Sequence, residues 1–311
     1  MAFETSDRTV QPSLDVIICT YEREQLLSTC LLSLSNQIGD VEYGILVVNN
    51  SPTFFSEKAR DFLDRIDRVH IIHEPNPGLS IARNAGIEAS DADWIAFLDD
   101  DARVPIDFIA SVFNSIDRHQ FDCFGGDITS YWPCDRPRWL DESFGSKPPL
   151  SKMMKELHSE YNWGSNIIFR REALISIGGF PRGIGMKGQA VGYSAENRVQ
   201  DALRAHTYRV GYDPNVSIEH AVLPHKHRLR WHFASAYATG RDGILTFPDQ
   251  YGVRGLLRSL KKALSATFSV PFLAILRQDK YWERILLDMM SPWMLLIGKL
   301  KAVLLSNTQK E

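Results

Sequence analysis

Four short apolar runs rich in β-branched residues, separated by three segments of helical period, constrain this chain more than any other feature. Leu14 to Cys19 (LDVIIC), Tyr43 to Val48 (YGILVV), Val69 to Ile72 and Trp94 to Leu98 (WIAFL) are short, and each is almost continuously apolar. That pattern reads as strands buried on both faces, as in a parallel sheet. Between the runs, Leu26, Leu27, Cys30, Leu31 and Leu34 recur at helical spacing, and so do Ala59, Phe62, Leu63 and Ile66. A third helix is predicted over Ser80 to Ala89, after the turn Asn76, Pro77, Gly78. Strand and helix alternating in this way predict an α/β fold, with a mostly parallel, Rossmann-like sheet flanked by helices. A length of 311 residues suits one such domain plus an appendage, and 44% apolar residues can fill its core.

Beyond Asp101 the pattern loosens. Pro105 suits the first turn of a helix running to about Ile116, and residues 125–150, rich in Gly, Pro and aromatics, are expected to be a long loop around a site. Asn166 to Phe169 is a further strand, with helices over Arg171 to Ile177 and Glu196 to Ala205. Tyr208 to Tyr212 and Val216 to Glu219 are short strand candidates. Gly183, Gly185 and Gly188 spell G-x-G-x-x-G, but no strand precedes them, so the dinucleotide reading fails and a mobile glycine loop over the acceptor site is expected.

The C-terminal part differs in kind. Residues 252–311 carry ten Lys/Arg against four Asp/Glu, while the whole chain has a net charge of −3. A basic, apolar tail on an acidic body points to an anionic membrane surface and away from nucleic acid. Residues 253–265 form a basic amphipathic pattern, and residues 285–305 are strongly apolar but interrupted by Asp288, Pro292, Lys299 and Lys301. A spanning helix needs about 20 nearly uninterrupted apolar residues. The segment is therefore read as lying in the membrane interface with Trp282 and Trp293 at headgroup level, the alternative being a helical cap on the main domain. The four cysteines, Cys19, Cys30, Cys123 and Cys134, show no metal-binding spacing and suit a reducing cytoplasm. The opening MAFETSDRTVQPS lacks the apolar core of a signal peptide. The expected location is thus cytoplasmic, peripheral on the inner face of the cell membrane.

Chemistry enters with FLDDDARVP. Asp99, Asp100 and Asp101 close an apolar strand, and in an open α/β sheet ligands sit beyond the carboxyl ends of the strands. Clustered carboxylates there are hard oxygen ligands suited to Mg²⁺ or Mn²⁺ on a diphosphate. A helix cap needs only one carboxylate, whereas three together repel unless a cation or donors compensate.

From about residue 13 to residue 242 the chain resembles the family 2 glycosyltransferases. VIICTYER is similar to that family's first strand and turn, ILVVNNS to its second strand, and NPGLSIARNAGI to its third loop and helix. WIAFLDDDARVP resembles its aspartate motif, NWGSNIIFRREALISIGGF its acceptor-side segment, and Ala195 to His220 its general-base helix and following strand. The resemblance implies a GT-A fold, a nucleoside-diphosphate-sugar donor and inversion at the anomeric carbon. It places Thr20 and Tyr21 at the nucleobase, Arg83 on the base or the diphosphate, and Asp99 and Asp100 among the donor-contacting residues. Asp101 becomes the direct metal ligand, with Asp99 shared between ribose and metal.

Two positions depart from the family pattern. The second strand ends in Asn49 in place of an aspartate; an amide still accepts a hydrogen bond from a base N–H, but base preference is open. The general-base helix begins Glu196, Asn197 in place of Glu-Asp. An amide cannot take a proton from an acceptor hydroxyl, so Glu196 is the expected base, with Asp201 further along the same helix. His220 ends a strand where a further metal ligand or diphosphate contact is expected, or else is structural. Lys226 and Arg228 either neutralise the leaving diphosphate or belong to a basic surface. Trp132, Trp139 and Trp163 offer stacking faces for a sugar, or packing surfaces. His227 before RLRW departs from the Gln-x-x-Arg-Trp of processive polymerases, which argues against processive synthesis.

The expected organisation is a flexible N-terminus (1–12), a GT-A catalytic domain (13–242) and a C-terminal helical membrane-associating tail (243–311). The catalytic domain divides into a nucleotide-binding half (13–101) and an acceptor-binding half (102–242). The expected reaction moves a sugar from the nucleotide donor to a hydroxyl of a glycan or lipid-linked acceptor. Its rivals are a non-catalytic sugar-nucleotide-binding or scaffold protein and a metal-dependent nucleotidyltransferase.

Overall fold

The structure, a computed structural model, describes residues 12–39, 41–118, 120–188, 190–277 and 281–308. The N-terminal segment expected to be flexible lies almost wholly outside the described residues. Strands β1 (Leu14–Thr20), β2 (Gly44–Asn49), β3 (Val69–His73) and β4 (Trp94–Asp99) alternate with helices α1 (Glu24–Ser35), α2 (Glu57–Leu63) and α3 (Leu79–Ala89). All four strands are parallel in the order β3-β2-β1-β4. Side chains of β1, β2 and β4 alternate between two buried layers, as a pleat of period two requires, whereas the edge strand β3 leaves His70 and Ile71 exposed. Val16, Ile18, Val47 and Leu98 pack with Leu31 and Leu34 of α1, while Ile17, Val48 and Phe97 pack with Ala82 and Ile87 of α3.

After β4 come β5 (Ala102–Arg103), α4 (Phe108–Arg118), β6 (Cys123–Gly125), β7 (Ile128–Tyr131) and β8 (Lys155–Glu156). Next are β9 (Asn166–Arg170), α5 (Arg171–Ser176), α6 (Ala195–Ala205), β10 (Val210–Tyr212) and β11 (Ile218–Ala221). The main sheet continues β4-β9-β6-β10-β8, with β9 antiparallel to both neighbours. A second small sheet has the order β5-β11-β7.

Several expectations are corrected here. The stretch 125–150 is not loop throughout: it holds β7, whose pairing with β11 is a long-range contact that local composition does not reveal. The last two strands start two residues later than expected, at Val210 and Ile218. The helix after Pro105 begins at Phe108.

Helices α7 (Leu229–Asp242), α8 (Val253–Arg277) and α9 (Trp282–Thr308) complete the described chain. The last apolar segment forms one helix, α9, which runs through Asp288, Pro292, Lys299 and Lys301. Its neighbours hold it. Gly298 lies so close to α7 that a Cβ there would stand 2.1 Å from the Tyr237 carbonyl oxygen. Trp293 Nε1 donates to Thr267 Oγ1 of α8 at 2.9 Å, and Lys299 Nζ to Gln250 Oε1 at 3.3 Å, so α8 and α9 form an antiparallel hairpin. Small residues of α8, Gly255, Ser259, Ala263 and Ala274, are buried, while Val253, Leu257, Leu264, Phe268 and Ile275 remain exposed. By length and composition, Val253–Leu276 is the one helix among the described residues long and apolar enough to cross a membrane.

Candidate active site

The carboxyl end of β4 delivers the three aspartates into unlike surroundings. Asp99 is partly exposed, while Asp100 and Asp101 turn inward and are 3% exposed. Asp100 accepts from Thr20 Oγ1 at 2.7 Å, because β1 runs beside β4 with Cys19 level with Asp99. Arg23 Nη1 sits 3.3 Å from Asp100 and 3.9 Å from Asp101. Burial pushes the Asp100 carboxyl up to about 7, with Arg23 and the Thr20 hydrogen bond pulling down and the neighbouring aspartates pushing up.

Asp101 is fixed by the small sheet. The pairing of His220 with Ala102 and the bond from the Ala221 N–H to the Asp101 carbonyl (3.0 Å) place the imidazole over the carboxylates. His220 Nε2 lies 3.1 Å from Asp101 Oδ1 and 3.4 Å from Asp99 Oδ2. Burial works against ionisation of Asp99, but the His220 hydrogen bond and the charges of His220, Arg83 and Lys226 outweigh it and hold it at about 2.

The donor atoms of Asp99, Asp101 and His220 all lie within 4.8 Å of one another. Asp101 Oδ1 is buried and makes no hydrogen bond. Two carboxylates, one imidazole and an unsatisfied buried oxygen fit a divalent cation, and so small a protein ligand set leaves coordination positions for other oxygens.

Arg83 of α3 is 3% exposed, which is costly for a guanidinium unless it is paired. Its Nη2 donates to the Gly164 carbonyl at 2.8 Å and lies 3.8 Å from Asp99 Oδ1. The rings of Phe97 and Phe180 wall it in at 5.6 and 5.0 Å, and Nη1 has no hydrogen-bond partner. Glu196 faces the same point beside Gly164: its carboxyl carbon lies 3.3 Å from where a Gly164 Cβ would be, and Arg83 Nη2 lies 2.9 Å from that position. Glu196 lies in the first turn of α6, behind Ser194, whose φ is +74°. A non-glycine residue in that region is strained, and such strain concentrates at functional sites. Asp201, the other carboxylate of α6, is engaged: it accepts from Tyr161 Oη at 2.8 Å and pairs with Arg204 at 3.3 Å.

On the nucleotide side, Asn49 is buried, and its amide is committed to its own loop. Nδ2 donates to the Thr53 carbonyl (3.0 Å) and Oδ1 accepts from the Ser51 hydroxyl (2.7 Å). Asn49 thus shapes the wall of a cleft of about 510 Å³ also lined by Arg23, Phe54 and Phe55. Tyr21 stands beside the glycine loop, its hydroxyl 3.4 Å from where a Cβ on Gly188 would be. That loop covers the start of α3, through Ser80 Oγ to Ile184 (2.7 Å) and Leu79 N to Met186 (2.9 Å).

The structure therefore gathers Thr20, Asp99, Asp100, Asp101, Arg83 and His220 in one place, with Glu196 beside Gly164. Lys226 Nζ lies 3.9 Å from Asp101, whereas Arg228 is exposed at the start of α7. Trp132 and Trp139 pack against His227 and His232, and Trp163 keeps an open face. Sequence reasoning missed Arg23, Gly164 and Lys147. Arg23 stood in view in TYER, one turn after the first strand, but nothing local says that a residue there meets carboxylates 77 positions on.

A mostly parallel sheet with two carboxylates at a strand end, joined there by a histidine of a second small sheet and by a carboxylate of a separate helix, is the arrangement of a GT-A glycosyltransferase. The chain belongs to glycosyl transferase family 2, to which residues 15–178 match. It is 26% identical over 227 residues to the glucosyl-dolichyl phosphate glucuronosyltransferase of Haloferax volcanii, covering 70% of this chain and 72% of that one. It is 23% identical over 250 residues to the succinoglycan biosynthesis protein ExoM of Rhizobium meliloti, covering 78% and 77%. The fold is shared with the mannosyltransferase PcManGT from Pyrobaculum calidifontis, solved with GDP-Man and Mn²⁺. The TM-score is 0.63 at 18% identity over 95% of this chain and 88% of that one. The chain is accordingly a glycosyltransferase.

Proposed function

We propose that the protein transfers a sugar with inversion from a nucleoside-diphosphate donor, a uridine- or guanosine-diphosphate sugar, to an acceptor hydroxyl deprotonated by Glu196. The observation that carries this reading is the disposition of Glu196. Its carboxylate makes no hydrogen bond among the described residues, and it borders the same space beside Gly164 as Arg83, which pairs with Asp99. A Mg²⁺ or Mn²⁺ ion held by Asp99, Asp101 and His220 would offset the charge of the departing diphosphate. Arg83 offers its unpartnered Nη1 to a donor oxygen, which removes the roughly 1–3 kcal/mol penalty of a buried unsatisfied donor. Thr20 and Arg23 hold Asp100 in place beneath the ligands, and Tyr21 and the loop shaped by Asn49 face the nucleoside.

Glu196 is favoured over Asp201 because Oδ1 of the latter already accepts from Tyr161 and pairs with Arg204, which holds that carboxylate in place. Glu196→Gln should lower transfer by about 10²–10⁴-fold, the usual contribution of a general base, with donor affinity little changed. Asp201→Asn should retain most of the activity. The reverse result for the pair overturns the assignment.

The helical hairpin supports peripheral attachment to an anionic membrane surface on the cytoplasmic face. Phe268 and Ile275 of α8 are 76% and 78% exposed, and Trp282 at the start of α9 is 63% exposed. Arg254, Arg258, Lys261 and Lys262 lie exposed along the first half of α8, and basic residues near an anionic leaflet contribute on the order of 1 kcal/mol each. The catalytic unit then runs to about residue 242, with the hairpin bringing it to lipid-linked acceptors.

A further inference from the structure

Lys147 is a cation near Lys226 and Glu196 that this chemistry leaves unused. It lies in the loop between β7 and β8, and its backbone is pinned to β7. Its N–H donates to the Ile128 carbonyl at 2.9 Å, and the adjacent Ser146 hydroxyl accepts from the Ser130 N–H at 2.8 Å. The ammonium stands 4.2 Å from the centroid of the Trp163 ring, which is 37% exposed.

Trp163 is held just as firmly from the other side. The Asn162 N–H donates to Gln200 Oε1 at 2.8 Å, and the Asn162 amide donates to the Gly211 carbonyl at 2.9 Å. Gln200 is one turn from Glu196 on α6. The Gly164 carbonyl, next along, takes the Arg83 hydrogen bond. Lys147 and Trp163 thus form a fixed pair tied to the helix that carries Glu196.

The charges around Lys147 differ from those around the basic residues beside the three aspartates. Arg23, Arg83 and Lys226 each approach one or more of the three aspartates within 4 Å. Among the described residues no carboxylate lies within ion-pair distance of Lys147. Burial and the Lys226 ammonium hold its pKa below the usual lysine range, and the opposing influence comes from Glu196. A half-buried ammonium with a repelling neighbour gains from an anion, and a compact lysine charge suits phosphoryl oxygens. The seat of Lys147 on Trp163, whose neighbour Asn162 is bonded to the helix that carries Glu196, points to the acceptor as the source of that anion.

Resting on the reading that Glu196 activates an acceptor hydroxyl, we propose that Lys147, set against the face of Trp163, binds the phosphoryl group of a phosphate-linked acceptor.

The test uses the full chain and two probes of equal chain length, octyl glucosyl phosphate and the uncharged octyl glucoside. Their binding is measured by calorimetry with and without Mn²⁺ plus a nucleoside diphosphate. The wild type should bind the phosphodiester about tenfold more tightly, the size of one charge-assisted contact. Lys147→Met, which keeps the length of the stem, should shrink that preference to within about twofold, and Lys147→Arg should restore most of it. Nucleoside diphosphate affinity should be the same in all three proteins. A wild type without preference, or a Lys147→Met protein that keeps it, overturns the proposal. So does a loss that falls equally on nucleoside diphosphate, which would place Lys147 at the leaving group. Failure of nucleoside diphosphate to bind the wild type would count against the transfer reading itself, and the probe comparison made without nucleotide still decides the role of Lys147.

Discussion

Gly164 is the point at which the two halves of the reaction centre touch, and adding one methyl group there tests whether they work as a unit. Its backbone lies outside the left-handed region, so Gly164→Ala brings no conformational strain of its own. The new Cβ would stand 2.9 Å from Arg83 Nη2, 3.2 Å from Nη1 and 3.3 Å from the Glu196 carboxyl carbon. Comfortable contact begins near 3.5 Å, so the shortest of these calls for a displacement of about 0.5 Å. Arg83 has little room to retreat, walled by Phe97 and Phe180 and bonded to the very carbonyl of residue 164. A misplacement of about 1 Å costs on the order of 10²-fold in rate, so half of that predicts a loss of about tenfold in kcat/KM. Overpacking should cost about 1–3 kcal/mol of stability, a fall in Tm of a few degrees for a domain of this size. Steady-state transfer kinetics, read beside a thermal melt and a nucleotide titration, separate the two effects. A Gly164→Ala enzyme within twofold of wild type, or one whose loss is fully explained by its unfolded fraction, would refute the coupling of Arg83 to Glu196.

Two further outcomes follow from the same geometry. Asp101→Asn should abolish the rise in Tm that Mn²⁺ and nucleoside diphosphate together produce and should stop turnover; an enzyme running at full rate in EDTA rules the metal reading out. On the hairpin, Phe268→Glu with Ile275→Glu should weaken flotation with anionic liposomes at least tenfold, since each large apolar side chain contributes about 1.5–3 kcal/mol when buried. Wild-type protein that resists both high salt and carbonate would be integral and would end the peripheral reading.

Much of the nucleotide-binding half was legible because its signals are local. LDVIIC, YGILVV and WIAFL are strands by composition alone, and DDD at a strand end is acidic wherever the rest of the chain goes. The acceptor half was less legible. ITSY was hidden in a stretch rich in Gly, Pro and aromatics because β7 exists by pairing with β11, some 90 residues further on. For the last apolar segment the sequence left open a surface helix or a cap on the main domain, because which neighbours a helix packs against is not written in its own residues; in the structure α7 and α8 flank α9.

By itself, the sequence determined the α/β alternation, the family resemblance, the three aspartates and the exclusion of Asn197 as base, since these depend on residue type and on spacing along one element. The tertiary structure decided which of those residues meet. The register of β11 on β5 brings His220 onto Asp99 and Asp101. Tyr161 and Arg204 engage Asp201, whereas the carboxylate of Glu196 on the same helix makes no hydrogen bond among the described residues. Lys147 and Trp163, sixteen residues apart in loops without a motif, become a pair only because β7 and α6 each hold one of them. Such contacts join segments distant along the chain, and their free energy resides in packing and hydrogen bonding between elements, which no local pattern encodes.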